Sequence, residues 1–142
     1  MKFLNGENFE VSMDLERGLF VIFISSGNCG PCRSMGPVLE RFEKMNSKLP
    51  LYKVNAEESP ELLAHFGVRG VPHLLFCKRR EVLYEFSGMT PLKDLQYVVD
   101  NIDGAHFLTY GKFKGVEKKT DWPFILSIGT ILAVFTALFI LT

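Results

Sequence analysis

The stretch LFVIFISSGNCGPC, residues 19–32, decides how this chain is read. Residues 19–25 are rich in branched and aromatic side chains and predict a buried central strand. The run is too short to cross a bilayer. It leads straight into Cys29-Gly30-Pro31-Cys32. Beyond the cysteines, Met35, Val38, Leu39, Phe42 and Met45 recur at helical spacing among charged residues. That pattern predicts an amphipathic helix from about 30 to 48. Pro37 lies inside it and is expected to kink it. The two cysteines therefore fall where a strand ends and a helix begins.

That position has a chemical meaning. Unpaired backbone N–H groups and the positive end of the helix dipole favour a thiolate at Cys29. Cys32 lies one turn further along, close enough to close a disulfide or to attack a mixed disulfide held at Cys29. Gly30 lets a substrate chain approach, and Pro31 falls in the first turn, where its missing N–H costs nothing. A zinc site would need more ligands; His73 and Cys77 are the nearest candidates, and no second Cys-x-x-Cys accompanies them. A structural disulfide closing so short a loop would contribute almost no stability. Redox exchange is the reading this position favours.

The tetrapeptide CGPC, followed about forty residues later by GVP in FGVRGVPHLLF (66–76), resembles the thioredoxin family over residues 1–104. The resemblance implies an α/β thioredoxin-like fold with a mixed central sheet. It implies that Cys29 attacks, that Cys32 resolves, and that Pro72 is a cis-proline facing the pair. Val71 would offer its backbone to an extended substrate, Gly88 would line the same groove, and Lys53 stands at the family's lysine position. An aliphatic residue before the proline goes with reducing members. No cofactor beyond the Cys29–Cys32 disulfide is implied. Partners would be protein disulfides and an unidentified electron donor. Three positions depart from the family pattern. Asn28 and Ser25 stand where aromatics are usual, and Phe23 stands where the family has a buried aspartate that helps deprotonate the resolving cysteine. Exchange is expected to survive, with a slower second step and a narrower set of partners.

The remaining elements follow from local signals. KFL (2–4) predicts a short strand. Asn5 or Asn8 is expected to cap a helix over 9–15, which Gly18 ends. LYKVNA (51–56) reads as a strand. SPELLAHFG reads as a helix with Ser59 as cap, Pro60 in first position and Gly67 as stop. Residues 71–78 and 81–88 predict two strands joined by Arg79-Arg80, hence an antiparallel hairpin. Residues 90–102 predict a last helix, capped by Thr90 and opened by Pro91. The order is βαβαβαββα, a mixed sheet with helices on both faces.

Composition sets further bounds. The chain has 142 residues, 16 basic and 16 acidic, so no charge bias points to nucleic acid. Its three cysteines are too few for a disulfide framework. The opening residues lack the apolar region of a signal peptide. Residues 123–142 carry no charge and, at about 1.5 Å per residue, match a hydrocarbon core as one transmembrane helix. Trp122 sits where an interfacial aromatic belongs. Lys112, Lys114, Lys118 and Lys119 precede it. The expected organisation is a thioredoxin-like domain at 1–104, a basic juxtamembrane linker at 105–121 and a tail anchor at 122–142. The positive-inside rule places 1–121 on the cytoplasmic side. Gly129, Ala133 and Ala137 share one helix face, a candidate contact for a membrane partner.

Two alternatives stay open. The domain could be an accessory module of a membrane complex with little turnover, or it could face an oxidising space. His73 could supply a base near the cysteines, or it could face away from them. Cys77 reads as a small buried hydrophobe, and Arg79-Arg80 as a solvated turn.

Overall fold

The computed structural model describes residues 1–104 and Phe107. The juxtamembrane linker, Trp122, the expected anchor and the Gly129, Ala133 and Ala137 face lie outside the described residues. The elements are β1 (Lys2–Phe3), α1 (Phe9–Leu15), β2 (Leu19–Ser25), α2 (Gly30–Met45), β3 (Leu51–Asn55), α3 (Pro60–Phe66), β4 (His73–Lys78), β5 (Glu81–Ser87) and α4 (Leu92–Asn101). The expected order βαβαβαββα is the observed one.

Five strands form one sheet in the order β1-β3-β2-β4-β5. β1 and β2 both run parallel to β3, while β2 with β4, and β4 with β5, run antiparallel. β2 is buried along Phe20–Ser25 because both faces of the sheet are covered. On one face Val21, Phe23, Leu74 and Phe76 pack with Leu39 and Phe42 of α2 and Leu95 and Val98 of α4. On the other, Phe20, Ile22, Ile24, Leu75 and Cys77 pack with Phe9 and Met13 of α1 and Leu62 of α3. Alternation along β2 and β4 divides the two layers.

Several elements differ from expectation at their ends or caps. α2 stops at Met45 rather than 48, where Asn46 leaves the helical conformation with a φ of −122° and a ψ of 53° and its side-chain Nδ2 donates to the Phe42 carbonyl. It runs through Pro37 as one helix. β4 begins at His73, not 71, since Pro72 has no N–H to give a ladder. Thr90 is not the cap of α4. Pro91 holds that place, and Thr90 is buried with its hydroxyl donating to the Gly88 carbonyl at 3.3 Å. Ser59 and Asn8 occupy the cap positions of α3 and α1 without side-chain capping bonds. Ahead of α1 the Asn5 Oδ1 accepts from the N–H groups of Glu7 and Asn8 instead.

The β4–β5 turn is more than a solvated loop. Arg80 reaches Glu10 at 2.8 Å and Asp14 at 2.7 Å, linking the hairpin to α1. All three side chains are more than half exposed, so the link contributes little to stability. Arg79 carries a φ of 58°. A residue with a Cβ is strained there, and asparagine tolerates the conformation better. Arg79→Asn should stabilise the fold by up to ~1 kcal/mol, read as a higher urea midpoint with an unchanged slope.

Candidate active site

β2 ends at Ser25, and shortly beyond it Cys29 takes the N-cap position of α2. Its extended backbone turns the chain from strand to helix. Cys29 and Cys32 are joined as a disulfide with Cα atoms 5.2 Å apart. The Cys32 N–H donates to Cys29 Sγ at 3.1 Å. This is the bond a capping side chain makes, with sulfur as the acceptor in place of oxygen. When the pair is reduced, the same N–H points at Cys29 Sγ and favours its thiolate. Cys29 is 9% exposed and Cys32 6%, while Gly30 and Pro31 between them are exposed. Both cysteines are thus buried, and the exposed surface at the pair is that of Gly30 and Pro31.

The groove expected around the pair is assembled from the segment that leads into β4 and the turn before α4. The Val71–Pro72 peptide bond is cis. Val71 packs against the cluster that contains both cysteines. Gly88, with a φ of 88°, donates its N–H to the Pro72 carbonyl at 2.9 Å. A Cβ on either Gly30 or Gly88 would meet open space, so both glycines border a free surface; at Gly88 the left-handed backbone favours glycine. Met89, 64% exposed beside Gly88, extends that surface. Sequence reasoning misses it, because a lone methionine in a loop carries no pattern. Met35 reads from sequence as core alone; its Sδ accepts the Thr90 N–H at 3.4 Å and ties α2 to the groove turn.

Phe23 is 3% exposed and lies in the same cluster as Cys29 and Cys32. The position beneath the pair is therefore hydrocarbon. Lys53 sits opposite Phe23 in the β2–β3 register, with its ammonium 6.0 Å from the centroid of the Phe3 ring. It is directed to the β1 edge and not to the sulfurs. His73 shares the face of Leu75 and Cys77 by strand alternation, away from the cysteine cluster. Its Nε2 lies 3.0 Å from Glu85 Oε2, and its Nδ1 is buried without a partner. His73 thus fits the reading in which it faces away from the pair. Among the described residues no His, Cys, Asp and Glu cluster could hold a metal ion.

The thioredoxin family model matches residues 1–101 of this chain. The chain belongs to the thioredoxin family. It is 32% identical over 94 residues to the thioredoxin of Alicyclobacillus acidocaldarius, covering 66% of this chain and 89% of that protein. It is 37% identical over 73 residues to the thioredoxin of Bacillus subtilis, covering 51% of this chain and 70% of that one. The fold resembles that of chloroplastic thioredoxin z, with a TM-score of 0.63 at 20% identity over 72% of this chain and 93% of the other. The protein is a thiol–disulfide oxidoreductase that acts on protein disulfides and carries its own redox-active disulfide in place of a cofactor.

Cys77 is separate from this chemistry. It is 2% exposed on the opposite face of the sheet, beside an apolar cavity of about 140 Å³ bordered by Phe9, Met13 and Phe20. Burial pushes its thiol up to about 12. The folded state thus favours the protonated form, and the stability this confers is complete below the ordinary thiol value near 9 and is lost as pH rises from there toward 12. In the reduced protein at pH 8, iodoacetamide should label Cys29 readily and leave Cys77 untouched until urea unfolds the chain, as read by intact mass and peptide mapping.

Proposed function

We propose that this chain is a membrane-anchored reductase of protein disulfides, held by residues 122–142 with its thioredoxin domain on the cytoplasmic side. The observation that carries the reductase reading is the Cys32 N–H donated to Cys29 Sγ at the mouth of α2, next to a groove built on Val71 and Pro72. Support for the anchor comes from residues 123–142, uncharged and long enough to span as a helix, preceded by four lysines in 110–121. Among the described residues no helix is long and apolar enough to cross a membrane.

Exchange proceeds in two displacements. The Cys29 thiolate attacks one sulfur of the client disulfide, forming a mixed disulfide and releasing a client thiolate. Cys32 then attacks Cys29 Sγ, closing the Cys29–Cys32 bond and freeing the second client sulfur. Two electrons pass from the dithiol to the client, and a dithiol donor must return the pair to its reduced state. The Cys32 proton must leave during the second displacement. Phe23 offers no carboxylate to take it, so the departing client thiolate or water accepts it.

Cys29→Ser should abolish reduction of a protein disulfide, and Cys32→Ser should accumulate a mixed disulfide visible on non-reducing gels. The reduction potential of the pair, titrated against dithiol buffers, should fall below that of the glutathione pool, about −220 to −260 mV. A clearly more oxidising value would sink the reductase reading and favour an oxidising-side role. Orientation is read separately, by labelling Cys29 with a membrane-impermeant thiol reagent in intact cells; labelling from outside would reverse the proposed topology.

Phe23→Asp should speed the second displacement roughly tenfold or more by supplying a buried base. It should also destabilise the fold by about 2–5 kcal/mol, because a carboxyl replaces packed hydrocarbon. Stopped-flow decay of the mixed disulfide and urea unfolding read the two effects apart.

A further inference from the structure

A cleft of about 260 Å³ lies beside the redox loop, at the carboxyl ends of the parallel strands β1, β3 and β2. Open α/β sheets take ligands at such ends. Ser25, Ser26 and Gly27, the run that leads into Cys29, line it. The disulfide exchange described above uses none of these side chains.

Two buried hydroxyls mark the cleft as a built site. Ser59 is 1% exposed and Ser25 4%, and both line it. Ser59 makes no capping bond to α3, and neither side chain is hydrogen-bonded among the described residues. Only His73 Nδ1 is sealed without a partner among those residues. The two serine oxygens therefore keep access to open space, and the cleft is the space they line. Hydroxyls this buried and still unpaired leave hydrogen-bonding capacity for an occupant.

Charge and shape narrow the occupant. Lys53 lines the cleft without a carboxylate partner among the described residues, and Glu58 lines it with one oxygen taken by Asn55 Nδ2 at 2.7 Å. A charged ligand would meet one of the two as a like charge. A neutral group that both donates and accepts satisfies both. The Phe3 ring, 75% exposed, offers an aromatic face with the Lys53 ammonium nearby. A cavity of about 150 Å³ is enough to hold a benzene ring, so the room suffices for a phenol.

We propose that this cleft is a specificity subsite for a tyrosine side chain of the client polypeptide. The ring rests beside Phe3, and the phenol hydroxyl meets Ser59, Ser25 and Lys53. Gly27 and Cys29 are two residues apart, so the tyrosine falls about two to three residues from the client's reacting cysteine in an extended segment. The proposal rests on the reading that the protein exchanges disulfides with polypeptides.

The test uses the full chain and two readouts. Amide shifts are followed by NMR while a cysteine-free peptide bearing Tyr, or its Ala counterpart, is added. Reduction of the two matching peptide disulfides is then compared. The Tyr peptide should shift the amides of Ser26, Gly27, Asn55 and Ser59 saturably, and the Ala peptide should not. The Tyr disulfide should be reduced roughly tenfold more efficiently in kcat/KM. Ser26→Phe, at a half-buried position on the cleft, should fill it and bring the ratio of the two efficiencies near one. Equal shifts from both peptides, or none from either, would overturn the subsite whatever the turnover. Tyr-specific shifts without reduction of either disulfide would support the subsite and overturn the reductase reading alone.

Discussion

β2 is hydrogen-bonded on both edges, to β3 in parallel and to β4 antiparallel, and its side chains from Phe20 to Ile24 are all within 3% of full burial. Everything in the site hangs from that strand. Burying each such side chain contributes about 1.5–3 kcal/mol, which makes the strand the least movable part of the molecule. Just beyond its end, Cys29 has little freedom of position. The helix that follows is anchored in turn by Leu39 and Phe42 against the same strand's inner face. A nucleophile needs a fixed address and a favoured charge state. The strand supplies the first, and the amide of Cys32 supplies the second.

The opposite wall of the site is fixed by different means. Cis-Pro72 stands at the entry to β4, antiparallel to β2, so the same central strand sets its height relative to the cysteines. The Gly88 N–H bonded to the Pro72 carbonyl, and Thr90 bonded to both Gly88 and Met35, join groove, turn and α2 into one connected unit. These are short backbone and sulfur contacts rather than ion pairs. Salt therefore has little direct hold on the geometry of the pair.

Much of this is legible in the sequence because the signals are local and periodic. β2 and α1 have the expected bounds, and the glycine after Phe66 ends α3 in the left-handed conformation its position suggests, with a φ of 67°. The differences fall where side chains compete for backbone partners. Thr90 looks like a cap from its place before a proline, yet its hydroxyl turns back to Gly88, and Pro91 enters the helix from an extended backbone. His73 is ambiguous in the sequence because strand alternation from a proline turn cannot be phased until the strand's first residue is known. Once β4 starts at His73, its face is decided. The role of Met35 depends on a contact between elements far apart in the chain, for which no window of sequence carries a signal.

The three departures from the family pattern then divide by physical consequence. Phe23 acts inward: it replaces a proton acceptor with packed hydrocarbon beneath the sulfurs and so bears on the rate of the second displacement. Ser25 and Asn28 act outward. Asn28 is exposed directly before Cys29, and Ser25 lines the cleft beside the redox loop. The fold accommodates all three because Phe23 adds packed hydrocarbon to the core of β2, Ser25 ends the strand with a small side chain, and Asn28 lies in the exposed loop beyond it. A scaffold whose rigidity comes from one central strand can therefore change its partners at the loop while keeping the thiolate where the helix amide favours it.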